Sequence, residues 1–455
     1  MTGRRSLRTT ICLGASLLLG ALAAPAAGQQ RDSIPGVSLG LVVQGGTAPA
    51  LAIKPFTGRF GGDAAASQVE AIMGRDLRYS DRFEIMDSMP AAIMGEGVDY
   101  RLWDRLGATW LLTGQVEGAG DAYLLVLELH DIPYGQVRER GRFRVPNPDH
   151  PDFRMAVHRA SDALVEWVFD EPGMAASRIA FSMRSPAGVK ELYVIDSDGE
   201  GLRKLTNHDA ITMSPAWSPD GQRMAFMSYK TGFPRIFVHE LATRREQEVE
   251  AGQPGDYYTP AWAPDGETLT FSVQAGGSRT GLFSYNALRN CCVEQLTGGR
   301  WNDISPTYSP DGRFIAFNSN RLGTAVPQIY VMPARGGDPE LLSPYEYGNS
   351  GYFTSPDWSP TGDMVAFHGR IRRGQYHILV ARPGERGRIR QLTWEGNNED
   401  PSWAPDGRHM VFKGERGWGK GLFVVDVATG RIRTLLPGVD VTVPDWSPSL
   451  PGDGS

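Results

Sequence analysis

Ser214-Pro-Ala-Trp-Ser-Pro-Asp-Gly221 decides the fold, because the chain returns to it five more times. Near copies follow at Thr259-Pro-Ala-Trp-Ala-Pro-Asp-Gly266, Ser305-Pro-Thr-Tyr-Ser-Pro-Asp-Gly312, Ser355-Pro-Asp-Trp-Ser-Pro-Thr-Gly362 and Asp400-Pro-Ser-Trp-Ala-Pro-Asp-Gly407. A shortened sixth, Val443-Pro-Asp-Trp-Ser-Pro448, lacks the Asp-Gly. The aromatic positions 217, 262, 308, 358, 403 and 446 are 45, 46, 50, 45 and 43 residues apart. A period near 45 is that of a four-stranded propeller blade.

Each unit has a physical reading. Pro-x-Trp is a short innermost strand whose aromatic packs between blades. Asp-Gly supplies a tight turn, since glycine tolerates positive φ and Asp hydrogen-bonds back to the turn backbone. Second strands follow at 224–226, 269–271 and 315–317, and third strands at 192–195, 236–238, 329–331 and 422–425. An outer strand ends in Leu-Thr at Thr206, Thr297 and Thr393. The first unit opens on a second-type strand at 178–181, and the last closes on an innermost strand at Trp446. The two halves complete one blade, so six blades are sealed by the chain's own ends, which protects their sheet edges. Residues 173–455 are the predicted six-bladed β-propeller, with its ring at 178–448.

Upstream, residues 29–172 read as a small α/β domain. Strands are expected at 37–43 and 50–56, then a helix capped by Asp63 with Val69, Ile72, Met73 and Leu77 on one face. A strand at 83–86, a short helix near 102–106 and strands at 110–116, 123–129 and 137–145 follow. A final helix from Pro151 buries Phe153, Val157, Ala160, Leu164 and Val168, and residues 171–173 are the linker. The fold class is therefore mainly β, a propeller preceded by an α/β domain large enough to bury its own core. Residues 1–28 read as a cleaved signal peptide, with Arg4, Arg5 and Arg8 before an apolar run at 11–24 and small residues for cleavage. Arg4-Arg5 leaves open a twin-arginine signal, although Arg8 stands where that motif wants an apolar residue. Nothing after Gln29 could span a bilayer.

Composition narrows the function. The 455 residues are 41% hydrophobic and 22% charged, as in soluble globular proteins. Gly 55 and Pro 32 make up about a fifth of the chain, which suits many short strands joined by turns. Lys+Arg 46 against Asp+Glu 52 leaves a net charge of −6, a balance that offers no basic footprint for nucleic acid or anionic lipid. Three cysteines, one in the predicted signal peptide, exclude a disulfide scaffold. Cys291-Cys292 is read either as a vicinal disulfide in a turn or as two thiols.

No enzyme reading finds its chemistry. Peptidases with such propellers need a hydrolase domain and a Gly-x-Ser-x-Gly elbow, and Gly348-Asn349-Ser350-Gly351 is the nearest approach. The histidines, at 130, 150, 158, 208, 239, 368, 377 and 409, form no His-x-His or His-Glu-x-x-His pair. His208-Asp209, Asp256, Asp303, Asp400 and Asp440 lie on loops entering innermost strands. Their acids precede the blade aromatic by unequal spacings, which favours a varied rim over a ligand ring. Asp196-Ser197-Asp198-Gly199 resembles the start of a calcium loop but has Asn207 where the loop's Glu belongs, and is expected to be a turn. No cofactor, metal or catalytic residue is expected.

In its N-terminal part the chain carries Ala71-Ile-Met-Gly-Arg-Asp-Leu-Arg78, Arg82-Phe83, Met89-Pro90 and Leu112-Thr-Gly-Gln-Val116. With the propeller turns and the terminal Val443-Pro-Asp-Trp-Ser-Pro448, it resembles the TolB family of the Tol–Pal envelope system over both domains. Thr361 in place of the turn Asp departs from the pattern, as does the loosely similar Val42-Val43-Gln44-Gly45-Gly46-Thr47. The resemblance implies a non-enzymatic, periplasmic, monomeric adaptor that supports outer-membrane integrity and constriction in division. It would bind the lipoprotein Pal at the propeller rim and the inner-membrane-anchored TolA through the mature N-terminus, Arg31, Asp32, Ser33, Ile34, Pro35, Gly36, Val37 and Ser38. The competing class is a periplasmic propeller lyase, lactonase or peptidase relative.

For the rim, the loops from each outer strand to the next innermost strand open on one face, at 207–213, 253–259, 300–304, 345–354, 395–400 and 438–442. They mix acids with aromatics that are expected to be exposed, the combination a binding hot spot requires. The predicted contacts are Asp209, Asp256, Tyr257, Tyr258, Thr259, Trp301, Asn302, Asp303, Ile304, Tyr352, Phe353 and Asp400, with Trp394 beside them. The alternative is that some of these rings plug the channel mouth. The opposite face, made of Asp-Gly turns, is expected to be structural only.

Overall fold

In the computed structural model the six repeats are six antiparallel blades of four strands from the propeller itself. The structure describes residues 37–38, 48–86, 97–118, 122–185, 188–277, 279–323, 326–345, 351–371, 374–385 and 387–452. Blade 2 shows the plan: Thr212–Trp217 innermost, then Arg223–Ser228, Arg235–Glu240 and, outermost, Glu246–Glu248. Blade 1 is composite. Its innermost strand, Val441–Trp446, pairs with Arg178–Arg184 and sets Trp446 beside Ile179. Trp446 Nε1 donates to Ser177 Oγ at 2.7 Å, and Arg178 N–H to Ser447 Oγ at 2.9 Å, so the closure is bonded beyond the ladder.

The repeated letters each hold something. In the turn, Ser218 Oγ donates to Asp220, whose Oδ1 accepts the Gln222 N–H at 3.0 Å, while Gly221 takes the left-handed φ of +67°. Thr361 replaces the Asp in blade 5 and its hydroxyl bonds Ser359 Oγ at 2.7 Å. In the Leu-Thr signature, the threonine hydroxyl stitches the outer strand to the third. Thr206 Oγ1 accepts the Leu192 N–H and Thr297 Oγ1 the Leu282 N–H, both at 3.0 Å. The tryptophan packs between blades: Trp217 lies among Ala180, Leu192 and Val194 of blade 1 and Phe226 and Phe237 of blade 2.

The N-terminal elements run β1 (Val37–Ser38), β2 (Ala50–Ile53), β3 (Thr57–Arg59), α1 (Asp63–Tyr79), β4 (Glu84–Ile85), α2 (Tyr100–Arg105), β5 (Trp110–Glu117), β6 (Ala122–Asp131), β7 (Gln136–Pro146) and α3 (Phe153–Phe169). One sheet has the order β4-β2-β5-β6-β7, with β3 pairing along β5. The helices α1 and α3 bury Val69, Met73, Leu77, Val157 and Leu164 against Leu125, Leu127 and Leu129 of β6. Two expectations change. Asp63 does not cap α1; Gly62 is its N-cap, at a site where a Cβ would lie 2.2 Å from the Val116 carbonyl oxygen. The strand expected at 37–43 is described only at Val37–Ser38, which adds in parallel to the outer strand of blade 5 at Ile389–Arg390.

The α/β domain sits on the face of hairpin turns, at blades 1 and 6. Asp196 and Asp198 of blade 1 receive Arg154 Nε at 2.9 Å and Arg154 Nη2 at 2.6 Å, and Arg75 reaches Asp198 at 3.3 Å. The calcium-like Asp-x-Asp is thus a turn, and it is also the seat of the other domain. At blade 6, Arg408 Nη2 donates to the Asp81 carbonyl at 3.2 Å, and Arg431 pairs with the Asp81 carboxylate at 3.0 Å. The connection is pinned by Asp162, which accepts the Ala175 and Ala176 N–H groups, each at 2.8 Å. Cys291 and Cys292 are disulfide-bonded, with Cys292 at φ +66°. Among the described residues no helix is long and apolar enough to cross a membrane.

Candidate partner-binding face

Strand direction places the exit loops of the outer strands, together with the hairpins between second and third strands, on the face away from the α/β domain. Six innermost strands frame the channel there, and each carries the same irregularity. The residue before proline, Ser214, Thr259, Ser305, Ser355, Asp400 or Val443, is left-handed with φ between +45° and +56°. The ladder register slips at that point in all six blades. A bulge of this kind reverses which side chains point inward.

The reversal sorts the predicted rim. The residue two places before each left-handed one faces the blade core: Thr212, Tyr257, Asp303, Phe353, Asn398 and Val441 are all at most 3% exposed. Tyr257 and Phe353 are therefore corrected from exposed anchors to core residues. Tyr257 packs its ring 5.2 Å from Phe271 and donates its hydroxyl to the Gln253 carbonyl at 2.6 Å. Phe353 meets Phe367 edge-on at 5.7 Å. Asp303 is buried as well, paired with Arg321 at 2.9 Å.

The remaining predicted residues gather at the mouth. Asp209 is exposed, and Asp256, Tyr258, Trp301, Asn302, Ile304 and Tyr352 are half-buried. The Tyr258 hydroxyl points at Asp256 Oδ2 at 3.4 Å, and burial together with that carboxylate pushes it up to about 12, so it stays a neutral donor. Tyr352 stacks edge-on against Tyr376 at 5.6 Å, and Arg300 covers Trp301 at 4.5 Å. Thr259 and Asp400 join blades: Thr259 Oγ1 accepts the Ser305 N–H at 3.1 Å, and Asp400 Oδ2 the Val443 N–H at 3.3 Å. Within the segment 31–38, residues 31–36 lie outside the described residues, and Val37–Ser38 form β1.

The sequence reading missed the second set of loops on this face. Phe233, Trp418 and Trp394 are exposed by 65%, 58% and 51%, and the first two lie on hairpins between second and third strands. Their signal was an aromatic set among turn residues, Gly232-Phe233-Pro234 and Gly417-Trp418-Gly419.

Below the mouth the channel, of about 400 Å³, is lined by the six x-Pro-x-aromatic repeats. In four of the six blades the side chain of the residue before the aromatic accepts the backbone N–H of the next blade's aromatic; Ala216 and Ala261 have no such acceptor. Asp445 does so for Trp217 at 2.7 Å, Asp357 for Trp403 at 2.7 Å, Ser402 for Trp446 at 3.0 Å and Thr307 for Trp358 at 3.2 Å. Burial pushes the Asp357 carboxyl up to about 6, and burial plus the Asp357 charge holds Asp445 well above the usual carboxylate range. A larger cleft of about 1210 Å³ lies between the turns of blades 4 and 5, beside the stacked Phe314 and Trp358, and away from the predicted rim.

Two groupings have ligand atoms close enough to suit a metal, Asp76–His158–Asp198 and Asp81–His409–Asp426, and both lie under the α/β domain. Their carboxylates already face Arg75, Arg154, Arg408 and Arg431, which makes them ion-pair networks. Burial lowers the His158 imidazolium, but Asp76, Asp198 and Asp196 outweigh it and the net shift is upward. For His409 the same contest, with Asp406, Asp81 and Asp426 opposing burial, ends at about 9. His208, the histidine of the entry loops, binds Glu246 at 3.0 Å and so ties blade 1 to blade 2.

Residues 165–450 match the TolB beta propeller domain, and residues 39–137 the TolB amino-terminal domain. The Tol-Pal system protein TolB of Gluconobacter oxydans is 30% identical over 450 residues, 96% of this chain and 95% of that one. Its namesake from Albidiferax ferrireducens is 30% identical over 233 residues, so that match spans about half of each chain, 51% and 52%. The crystal structure of TolB from Acinetobacter baumannii superposes with a TM-score of 0.74 at 25% identity, covering 89% of this chain and 97% of that one.

Proposed function

The chain belongs to the TolB family and is a component of the Tol-Pal system, and from that premise we propose that it is a non-enzymatic periplasmic adaptor. In this reading the loop face holds the Pal lipoprotein and the mature N-terminus holds TolA, so that the protein supports outer-membrane integrity and constriction during division. One observation carries it: the α/β domain occupies the hairpin-turn face at blades 1 and 6, and the opposite face carries Phe233, Trp394 and Trp418, the most exposed aromatics of the propeller among the described residues. Rigid aromatic anchors among acids and hydroxyls suit a folded partner, and the channel mouth between them suits a protruding loop.

The test uses the mature protein and a Pal ectodomain. Trp301→Ala with Trp394→Ala should weaken binding by about 2 kcal/mol, roughly thirtyfold, with thermal unfolding unchanged. Unchanged affinity would remove the loop face as the Pal site. In the same preparation, deletion of residues 31–38 should abolish TolA capture and leave Pal binding intact. Tyr257→Ala is no substitute for the rim variants, because it empties a core position and costs about 3 kcal/mol of stability.

A further inference from the structure

We propose that the free edge of the α/β sheet, strand β7, is a docking edge for an extended acidic segment of another protein. The strand belongs to the α/β domain and not to the loop face, so the proposal stands independently of the adaptor reading.

The strand reads Gln136-Val-Arg-Glu-Arg-Gly-Arg-Phe-Arg-Val-Pro146. It pairs with β6 along one side, and among the described residues no strand pairs with its other side. Because side chains alternate along a strand, Arg140, Arg142 and Arg144 project from one face of the sheet, and all three are exposed; Arg138, also exposed, lies at the bulge where the β6 register shifts. Of these three, only Arg140 makes an ion pair among the described residues, to Glu128 at 2.5 Å. The same face continues inward through half-buried Val126 and Leu124, which stand opposite Arg142 and Arg144.

The other side of the strand turns toward α3. A Cβ on Gly141 would come within 2.6 Å of the Phe143 and Trp167 rings, so glycine lets those two half-buried aromatics close over the strand. The edge therefore offers a row of guanidiniums on one face, an apolar shelf on the other and unpaired backbone groups between them. The chain as a whole carries −6, so this stripe opposes the molecule's own charge.

These features define the occupant. Arginines on an edge repel a second copy of the same edge, while an oppositely charged strand is attracted. A strand added to β7 would place alternate side chains about 5 Å from the arginine Cβ atoms, where Asp or Glu complements them. Its intervening residues would lie over Phe143 and Trp167, where apolar side chains fit. A segment alternating acidic and apolar residues meets both demands, and its backbone completes the ladder. An anionic lipid surface would satisfy the guanidiniums but leave the edge N–H and C=O groups without partners in a poorly hydrated interface.

Fluorescence anisotropy on the full mature chain tests this with a labelled ten-residue peptide alternating Glu and Val. The peptide should bind, and Arg142→Glu with Arg144→Glu should weaken it by about tenfold or more, while Arg142→Lys with Arg144→Lys retains most of the affinity. The decisive arm leaves the protein unchanged. N-methylation of alternate amides in the peptide preserves its charge and should weaken binding by about tenfold, because the ladder is lost. Equal binding of the methylated peptide would overturn the proposal, since charge alone would explain the contact. So would absence of binding, or retention by phosphatidylglycerol vesicles in place of the peptide.

Discussion

The two faces of the propeller are built from the same six repeats and differ in what they carry. On the turn face, Ser-Pro-Asp-Gly hairpins bond within themselves, and blades 1 and 6 extend that order to a second domain through Arg75, Arg154, Arg408 and Arg431. On the loop face the connections vary in length and composition, and Phe233, Trp394 and Trp418 stand in solvent. The repeat can keep one face constant because a short turn needs only Asp and Gly, whereas a crossing loop merely has to span the gap between blades. Stability should therefore be concentrated on the turn face and binding on the loop face.

The largest break in that contrast should come from Asp196→Ala. The Asp196 carboxylate is buried and faces Arg154 and Arg178, with His158 Nε2 3.9 Å away. Its removal leaves cations without their partner at the domain junction, an arrangement that costs about 3 kcal/mol or more. Denaturant unfolding of the variant should show that loss, with the α/β domain becoming sensitive to protease before the ring. A change below about 0.5 kcal/mol would show that the turn face is not where the two domains are held.

A smaller effect should follow pH. His409 is fully buried, and its ionised form is favoured in the folded state, with a pKa of about 9 against 6.5 for the free side chain. A raised pKa means that the stabilising contribution is complete below about 6.5 and is lost as pH climbs through about 9. The unfolding free energy should fall by up to about 3 kcal/mol over that window in the native protein. His409→Gln should flatten the profile. A profile of equal slope in the variant would assign the alkaline loss to other groups.

The ring was legible because its information is local: an octapeptide repeated near every 45 residues carries its own turn, strand and packing aromatic. The orientation of the rim was not, and the reason is one backbone angle. Counting back in twos from buried Trp262 puts Tyr258 inside and Tyr257 outside. The left-handed residue at Thr259 shifts the phase by one, so Tyr257 is the buried ring. The same shift buries Phe353 behind Ser355. The seat of the α/β domain was hidden for a different reason. Asp198 meets Arg75 across 123 residues of chain, and no local pattern announces such a pairing.

The smallest expected effect is the sharpest control on the comparison. Asp265 Oδ1 accepts the Glu267 and Thr268 N–H groups, each at 2.8 Å, and Asp311 Oδ1 accepts the Arg313 N–H at 3.0 Å. These turns belong to blades 3 and 4, away from the blades that carry the α/β domain. Asn at either position keeps an oxygen to accept the same backbone bonds and keeps the backbone preference of the turn. Asp265→Asn with Asp311→Asn should therefore change Pal affinity by no more than about 0.5 kcal/mol, as surface substitutions usually do. If this pair weakened Pal capture as strongly as Trp301→Ala with Trp394→Ala, the partner would have to sit on the turn face. The loop-face aromatics would then need another role, and the division of labour between the faces would fail.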